Sequence, residues 1–163
     1  MYKKYFFLSI ITLISISILF STLSGSYNKF FFPIQTNYIL TSSFGYRTFD
    51  NSFHNGVDLA AIVGVPVYSI NSGTVTYAAF DNSGGYMIII EHSNGYKSMY
   101  CHLDSSLKVK NGDYVKSRQL IGYIGPKYLE DGRLNGYTTG VHLHYGLYLN
   151  NKSINPFSVN YSK

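Results

Sequence analysis

The sequence predicts a mainly β fold, a single domain of antiparallel strands. Short apolar or alternating runs recur between Gly and Asn turns, the punctuation of an all-β chain. No segment shows a convincing helical period. The composition leans on 17 Tyr and 11 Phe, with charged residues at only 13%, which suits a packed globule rather than a disordered chain. At 163 residues the chain can build one real core and not two.

The elements follow in order. Val65 to Ile70 reads as a strand that turns at Asn71-Ser72-Gly73 into Thr74 to Ala78. After the Asn82-Ser83-Gly84-Gly85 turn, Tyr86 to Glu91 is almost wholly apolar, as a central strand should be. Asn94-Gly95 is a type I′ hairpin signal, and Lys97 to His102 is its returning strand. Asn111-Gly112 turns into Asp113-Tyr114-Val115, and Gln119 to Ile124 is a further strand. Gly125-Pro126 opens a loop through Gly136, and the stretch from Thr139 to Tyr148 closes the sheet.

At the N-terminus, Lys3-Lys4 precede an apolar run from Tyr5 to Phe20, followed by small and polar residues to Ser26. That is an export pattern: residues 1–26 are a signal peptide, or a single-pass membrane anchor spanning residues 5–23 with the rest of the chain outside the cytoplasm. Pro33 breaks any continuing helix, so 27–32 reads as a linker, 33–158 as the domain and 159–163 as a tail. The formal net charge is +5, two units of which are Lys3 and Lys4. The remainder is scattered, which argues against nucleic acid and mildly for an anionic envelope surface. The single cysteine, Cys101, excludes an internal disulfide framework.

Four of the five histidines form three patterned sites. In the His142-Leu143-His144 strand, alternation points both imidazoles the same way, roughly 6–7 Å apart at Cα. Leu143 and Tyr145 then face the core. His54-Asn55-Gly56-Val57-Asp58 sets an imidazole and a carboxylate four residues apart across an Asn-Gly bend. Tyr100-Cys101-His102-Leu103 places His102 at a strand end, with alternation sending Cys101 to the opposite face as a small buried hydrophobe. Catalytic zinc takes three protein ligands and keeps one open position. His54, Asp58 and one of His142 or His144 supply three. The remaining two histidines then match the need for a proton acceptor and a group that stabilises a tetrahedral intermediate. Alone, each pattern reads equally as surface decoration. His92 lies outside the set and reads as structural.

The ordered set resembles the lysostaphin/LytM-type zinc metalloendopeptidases, which cleave peptide bonds in bacterial peptidoglycan. It runs from Ser43-Phe44-Gly45-Tyr46-Arg47 through His54-x-x-x-Asp58, Gly64-Val65-Pro66-Val67-Tyr68 and Gly73-Thr74-Val75. It continues with Tyr100-x-His102-Leu103, Val109-x-x-Gly112-Asp113-x-Val115, Ile121-Gly122-Tyr123-Ile124-Gly125 and Thr139-Gly140-x-His142-Leu143-His144-Tyr145. The resemblance implies an antiparallel β fold with the site in a groove between loops. It also implies one Zn2+ per chain on His54, Asp58 and His144, with His102 and His142 as the catalytic, non-ligating pair. The segment 126–137, with Glu130, Asp131 and Arg133, is longer than the family's usual turn and is expected to border the groove. Tyr46 and Arg47 either line that groove or pack.

Two functions follow from the resemblance. One is an exported endopeptidase acting on peptidoglycan peptides. The other is a membrane-anchored, zinc-binding scaffold or regulator of envelope assembly or sporulation, with a protein partner in the envelope. Degenerate scaffolds lose ligands or flanking histidines, and this chain has all five.

Overall fold

The computed structural model describes residues 29–162; the leader expected over residues 1–26 lies outside them. The strands are β1 (Phe30–Phe31), β2 (Ile39–Ser42), β3 (Gly45–Arg47), β4 (Ser52–His54), β5 (Gly56–Ala60), β6 (Pro66–Tyr68) and β7 (Gly73–Asp81). They continue as β8 (Gly85–His92), β9 (Tyr96–Leu103), β10 (Tyr114–Val115), β11 (Leu120–Tyr123), β12 (Leu143–Leu149), β13 (Lys152–Ile154) and β14 (Tyr161–Ser162). Among the described residues the helical pieces are two 3-10 turns, Ser93–Gly95 and Pro156–Ser158. The mainly β, antiparallel expectation holds.

The main sheet runs β10-β7-β8-β9-β12-β5-β2, with β13 beside the second half of β12. Apolar β8 is an interior strand, flanked by β7 and β9. At the β8–β9 hairpin Asn94 and Gly95 take φ of 58° and 75°, and Tyr96 N–H donates to Ser93 O, as a type I′ turn requires. β12 does not close the sheet. It pairs with β9 on one side and with β5 and then β13 on the other, so His144 lies inside the sheet, while His142 stands just before the strand begins at Leu143.

One face of the sheet is core. Val57, Leu59, Ile88, Ile90, Tyr100, Leu143, Tyr145 and Leu147 are fully buried there, each aliphatic one contributing about 1.5–3 kcal/mol by leaving water. The β6–β11 ladder closes the same cluster through Val67 and Ile121, joined by Phe30 and Ile34. Among the described residues, 29–32 of the expected linker and 159–162 of the expected tail pack with this body. β1 and β14 pair in parallel, Phe30 is buried, and Phe32 packs edge-on against Tyr161 at 5.2 Å.

The opposite face carries Asp58, Met87, Met99, Cys101 and His144, which floor a groove. A bulge in β9 shapes it. Leu103 pairs with Tyr86 but Tyr100 pairs with Ile88, so Cys101 and His102 together oppose Met87, with His102 at φ 60°. The extra residue resets the alternation. Cys101, opposite His144, and His102 therefore both face the groove, contrary to the expectation that they face apart. Cys101 is nonetheless buried, and burial first, then Asp81 and Asp58, push its thiol up to about 12. It packs as a small hydrophobe.

Candidate active site

His144 and Asp58 are cross-strand neighbours on β12 and β5, and residues paired this way share a face. His54 ends β4 one residue before β5 begins. Their donor atoms converge: His144 Nδ1 is 2.9 Å from Asp58 Oδ1, His54 Nε2 is 3.0 Å from His144 Nδ1, and His54 Nε2 is 3.2 Å from Asp58 Oδ1. His54 Nδ1–H donates to Ser43 O at 2.9 Å, which leaves Nε2 as the lone-pair nitrogen facing the cluster.

The expected Asn-Gly bend is not what brings these residues together. Neither Asn55 nor Gly56 takes a positive φ, and the chain reverses at neither. It steps from the small β3–β4 ladder into the main sheet. Gly56 is needed for a different reason. A Cβ there would lie 2.6 Å from Tyr145 O and 2.8 Å from His144 Nε2, so the glycine is the space in which the His144 ring lies.

His102 and His142 flank the cluster, with ring centroids 4.7 Å apart. His102 Nδ1–H donates to Asn135 O at 2.7 Å and His142 Nδ1–H to Gly140 O at 3.0 Å. In both rings the carbonyl accepts, so Nε2 keeps the free lone pair. His142 Nε2 is 3.6 Å from Asp58 Oδ1. Burial pushes His102 down to about 4 and also lowers His142, so both rings are neutral near pH 7. Burial would favour the neutral acid of Asp58, but the hydrogen bond from His144 and, when His54 is protonated, one from its Nε2 hold Asp58 well below the usual carboxylate range. Burial opposes the charge on His54, yet bonds to Asp58 and Ser43 outweigh it and raise its pKa.

The fifth histidine, His92, is structural as expected. It is buried, bonded to Ser72 O at 2.9 Å and to Ser98 Oγ at 2.7 Å. The groove has a volume of about 770 Å³, and its lining includes Arg47, Phe49 and Asp50 as well as Leu134, Tyr137 and Thr138. The segment 126–137 therefore does border it. Arg47 lines the wall, paired with Asp50 at 2.7 Å. Tyr46 is exposed and bonds to Asn51 instead. Three partners were not foreseen: the carbonyls of Ser43, Asn135 and Gly140. Main-chain acceptors leave no mark on residue type, and Asn135-Gly136 reads in the sequence only as a turn.

The residues fit a zinc ion. Tetrahedral ligands at roughly 2.0–2.1 Å from a common centre lie about 3.3–3.4 Å from one another. The three donor separations, 2.9–3.2 Å, come close to that edge. Two imidazole nitrogens and a carboxylate oxygen are donors zinc accepts, and the Ser43 carbonyl behind His54 is the outer partner a ligating imidazole needs.

Comparison with known proteins agrees. The pattern of peptidase family M23 matches residues 52–156. A protein of Buchnera aphidicola described as an uncharacterized metalloprotease is 39% identical over 77% of this chain and 32% of its own length. The peptidoglycan DD-endopeptidase ShyA of Vibrio cholerae is 32% identical over 79% of this chain and 29% of its own. Among solved structures, a zinc containing peptidase from Vibrio cholerae superposes with a TM-score of 0.70 at 29% identity, over 83% of this chain and 41% of that one. The lysostaphin catalytic domain of Staphylococcus simulans gives 0.62 at 33%, over 75% and 91%. A SpoIIQ–SpoIIIAH pore forming complex gives 0.68 at 27%, over 82% and 92%. The chain spans about a third or less of the length of these curated relatives. With the fold of lysostaphin and a matched segment that includes His54, Asp58, His102, His142 and His144, the chain belongs to peptidase family M23.

Proposed function

We propose that this protein is an exported zinc endopeptidase that hydrolyses peptide bonds in peptidoglycan. The observation that carries the proposal is the pairing of a converged His54, Asp58 and His144 triad with two flanking imidazoles whose Nε2 atoms are free. The named activity of ShyA supports the substrate class.

In this reading His54 Nε2, Asp58 Oδ1 and His144 Nδ1 hold zinc, which supplies Lewis acidity towards a carbonyl and towards water. His102 and His142, neutral and with Nδ1 tied to carbonyls, present Nε2 as proton acceptors. Once protonated, His142 is stabilised by Asp58 nearby. The ring that takes the proton of the attacking water donates it from Nε2, first as a hydrogen bond to the tetrahedral oxyanion and then to the leaving amine as the C–N bond breaks. Phe49 and Tyr137, both lining the groove, offer aromatic surface to the peptide. Incubating the zinc-loaded protein with several peptidoglycan chemotypes, followed by mass analysis, tests this; released peptides of defined cleavage support it, and none from any chemotype would sink it.

The likeness to the SpoIIQ–SpoIIIAH complex favours a second reading, a scaffold with a protein partner in the envelope. It predicts normal zinc content with no released peptide. On location, we place the domain outside the cytoplasmic membrane because Lys3-Lys4 precede the apolar run. A reporter active only in the cytoplasm, fused to Lys163, should be silent.

A further inference from the structure

We infer that Asn135 is the positioning residue for His102: its carbonyl selects the imidazole tautomer, and its buried side chain holds that carbonyl in place. The inference rests on the endopeptidase reading for its catalytic consequence, though not for its geometry.

Asn135 is fully buried, although it belongs to the loop that walls the groove. Its amide is completely used. Oδ1 accepts from Tyr86 N–H at 3.0 Å, and Nδ2 donates to Leu103 O at 2.9 Å and to Pro126 O at 3.2 Å. Its main-chain N–H donates to Lys127 O at 2.9 Å. The loop is thereby fastened to β8 and to the end of β9, the two strands that make the His102 bulge. The surroundings are cut to fit it. A Cβ on Gly85 would lie 2.2 Å from Asn135 Oδ1, and one on Gly125 would lie 2.7 Å from Nδ2.

What this fastening secures is the 2.7 Å bond from His102 Nδ1–H to Asn135 O. A neutral imidazole can carry its proton on either nitrogen. With the proton on Nε2, His102 would present a donor to the groove and could not accept a proton from water. The carbonyl removes that choice only while it stays within hydrogen-bond reach. The other fastenings of the loop act beside this carbonyl and not on it: Tyr137 N–H donates to Ser83 O at 2.8 Å, Tyr128 bridges Leu134, and the Asp131–Arg133 pair is largely exposed. Leu134, next in sequence to Asn135, lines the groove, so the loop that borders the substrate and the tautomer of His102 share one anchor.

The test uses the zinc-loaded full chain, labelled with 15N, and compares the parent with Asn135→Ala. His102 signals are assigned against a His102→Asn variant. The parent should show one tautomer, protonated on Nδ1. Asn135→Ala should retain one zinc per chain and show mixed tautomers at His102. Its kcat should fall about 10–100-fold, part of what an acid–base group is worth, with KM within about threefold. If Asn135→Ala lacks a cooperative melt, the isosteric Asn135→Asp, which removes the donors to Leu103 and Pro126, is read in its place. An unchanged His102 tautomer overturns the inference whatever happens to activity. A shifted tautomer in a parent that cleaves no peptidoglycan upholds it and defeats the endopeptidase reading instead.

Discussion

His102 and His142 meet edge to face, their ring centroids 4.7 Å apart, each with Nδ1 tied to a main-chain carbonyl. Neither supplies one of the three converged donor atoms. Replacing either should therefore leave zinc content at one per chain while hydrolysis falls by about 10²–10⁴. His142→Ala and His102→Asn are the suitable changes, because position 102 has φ 60° and Asn tolerates that conformation. Loss of zinc from either variant in elemental analysis would show that the roles are misassigned.

Asp58 Oδ1 accepts from His144 Nδ1 and lies 3.2 Å from His54 Nε2, so its removal takes away the carboxylate on which both rings converge. Asp58→Ala should bind no zinc after reconstitution, and the parent should lose its zinc and its hydrolysis to a chelator and recover both on adding zinc back. Retention of stoichiometric zinc by Asp58→Ala would exclude the carboxylate as a ligand.

Gly56→Ala should be destabilised by about 1–3 kcal/mol and bind zinc more weakly. The added methyl meets the Tyr145 carbonyl, which is backbone and cannot swing away, as well as the His144 ring. Denaturant melts and a zinc competition assay measure the two effects. A parent-like variant in both would mean that the His144 ring has other room.

The metal-free protein should lose stability as the pH falls from about 6.5 to about 4. His102 titrates at about 4 when folded, because of burial, and near 6.5 when unfolded. Within that window the unfolded chain binds the extra proton, so stability is full above the unfolded value and declines below it. The His102 share is on the order of 3 kcal/mol. Comparing melts of the parent and His102→Asn at pH 7.5 and pH 5 isolates it: the drop should be smaller in the variant.

What the sequence by itself determined is periodic or local. Alternation through Leu143, His144 and Tyr145 set which side chains enter the core and which the groove. Asn94-Gly95 set a hairpin whose turn needs two positive φ values, and the apolar run of β8 placed it inside the sheet. The resemblance supplied the choice of His144 over His142 as the converging ligand, which spacing alone left open. Tertiary structure decided the rest, for three physical reasons. The β9 bulge adds a residue against Met87, and alternation then no longer predicts the face of Cys101 relative to His102. Gly56 is present because of the His144 ring, a neighbour 88 positions away in the chain, while its local context suggests a turn. The orientation of the imidazoles rests on the carbonyls of Ser43, Asn135 and Gly140. Every residue has such an acceptor, so only the path of the folded chain determines which one a histidine meets.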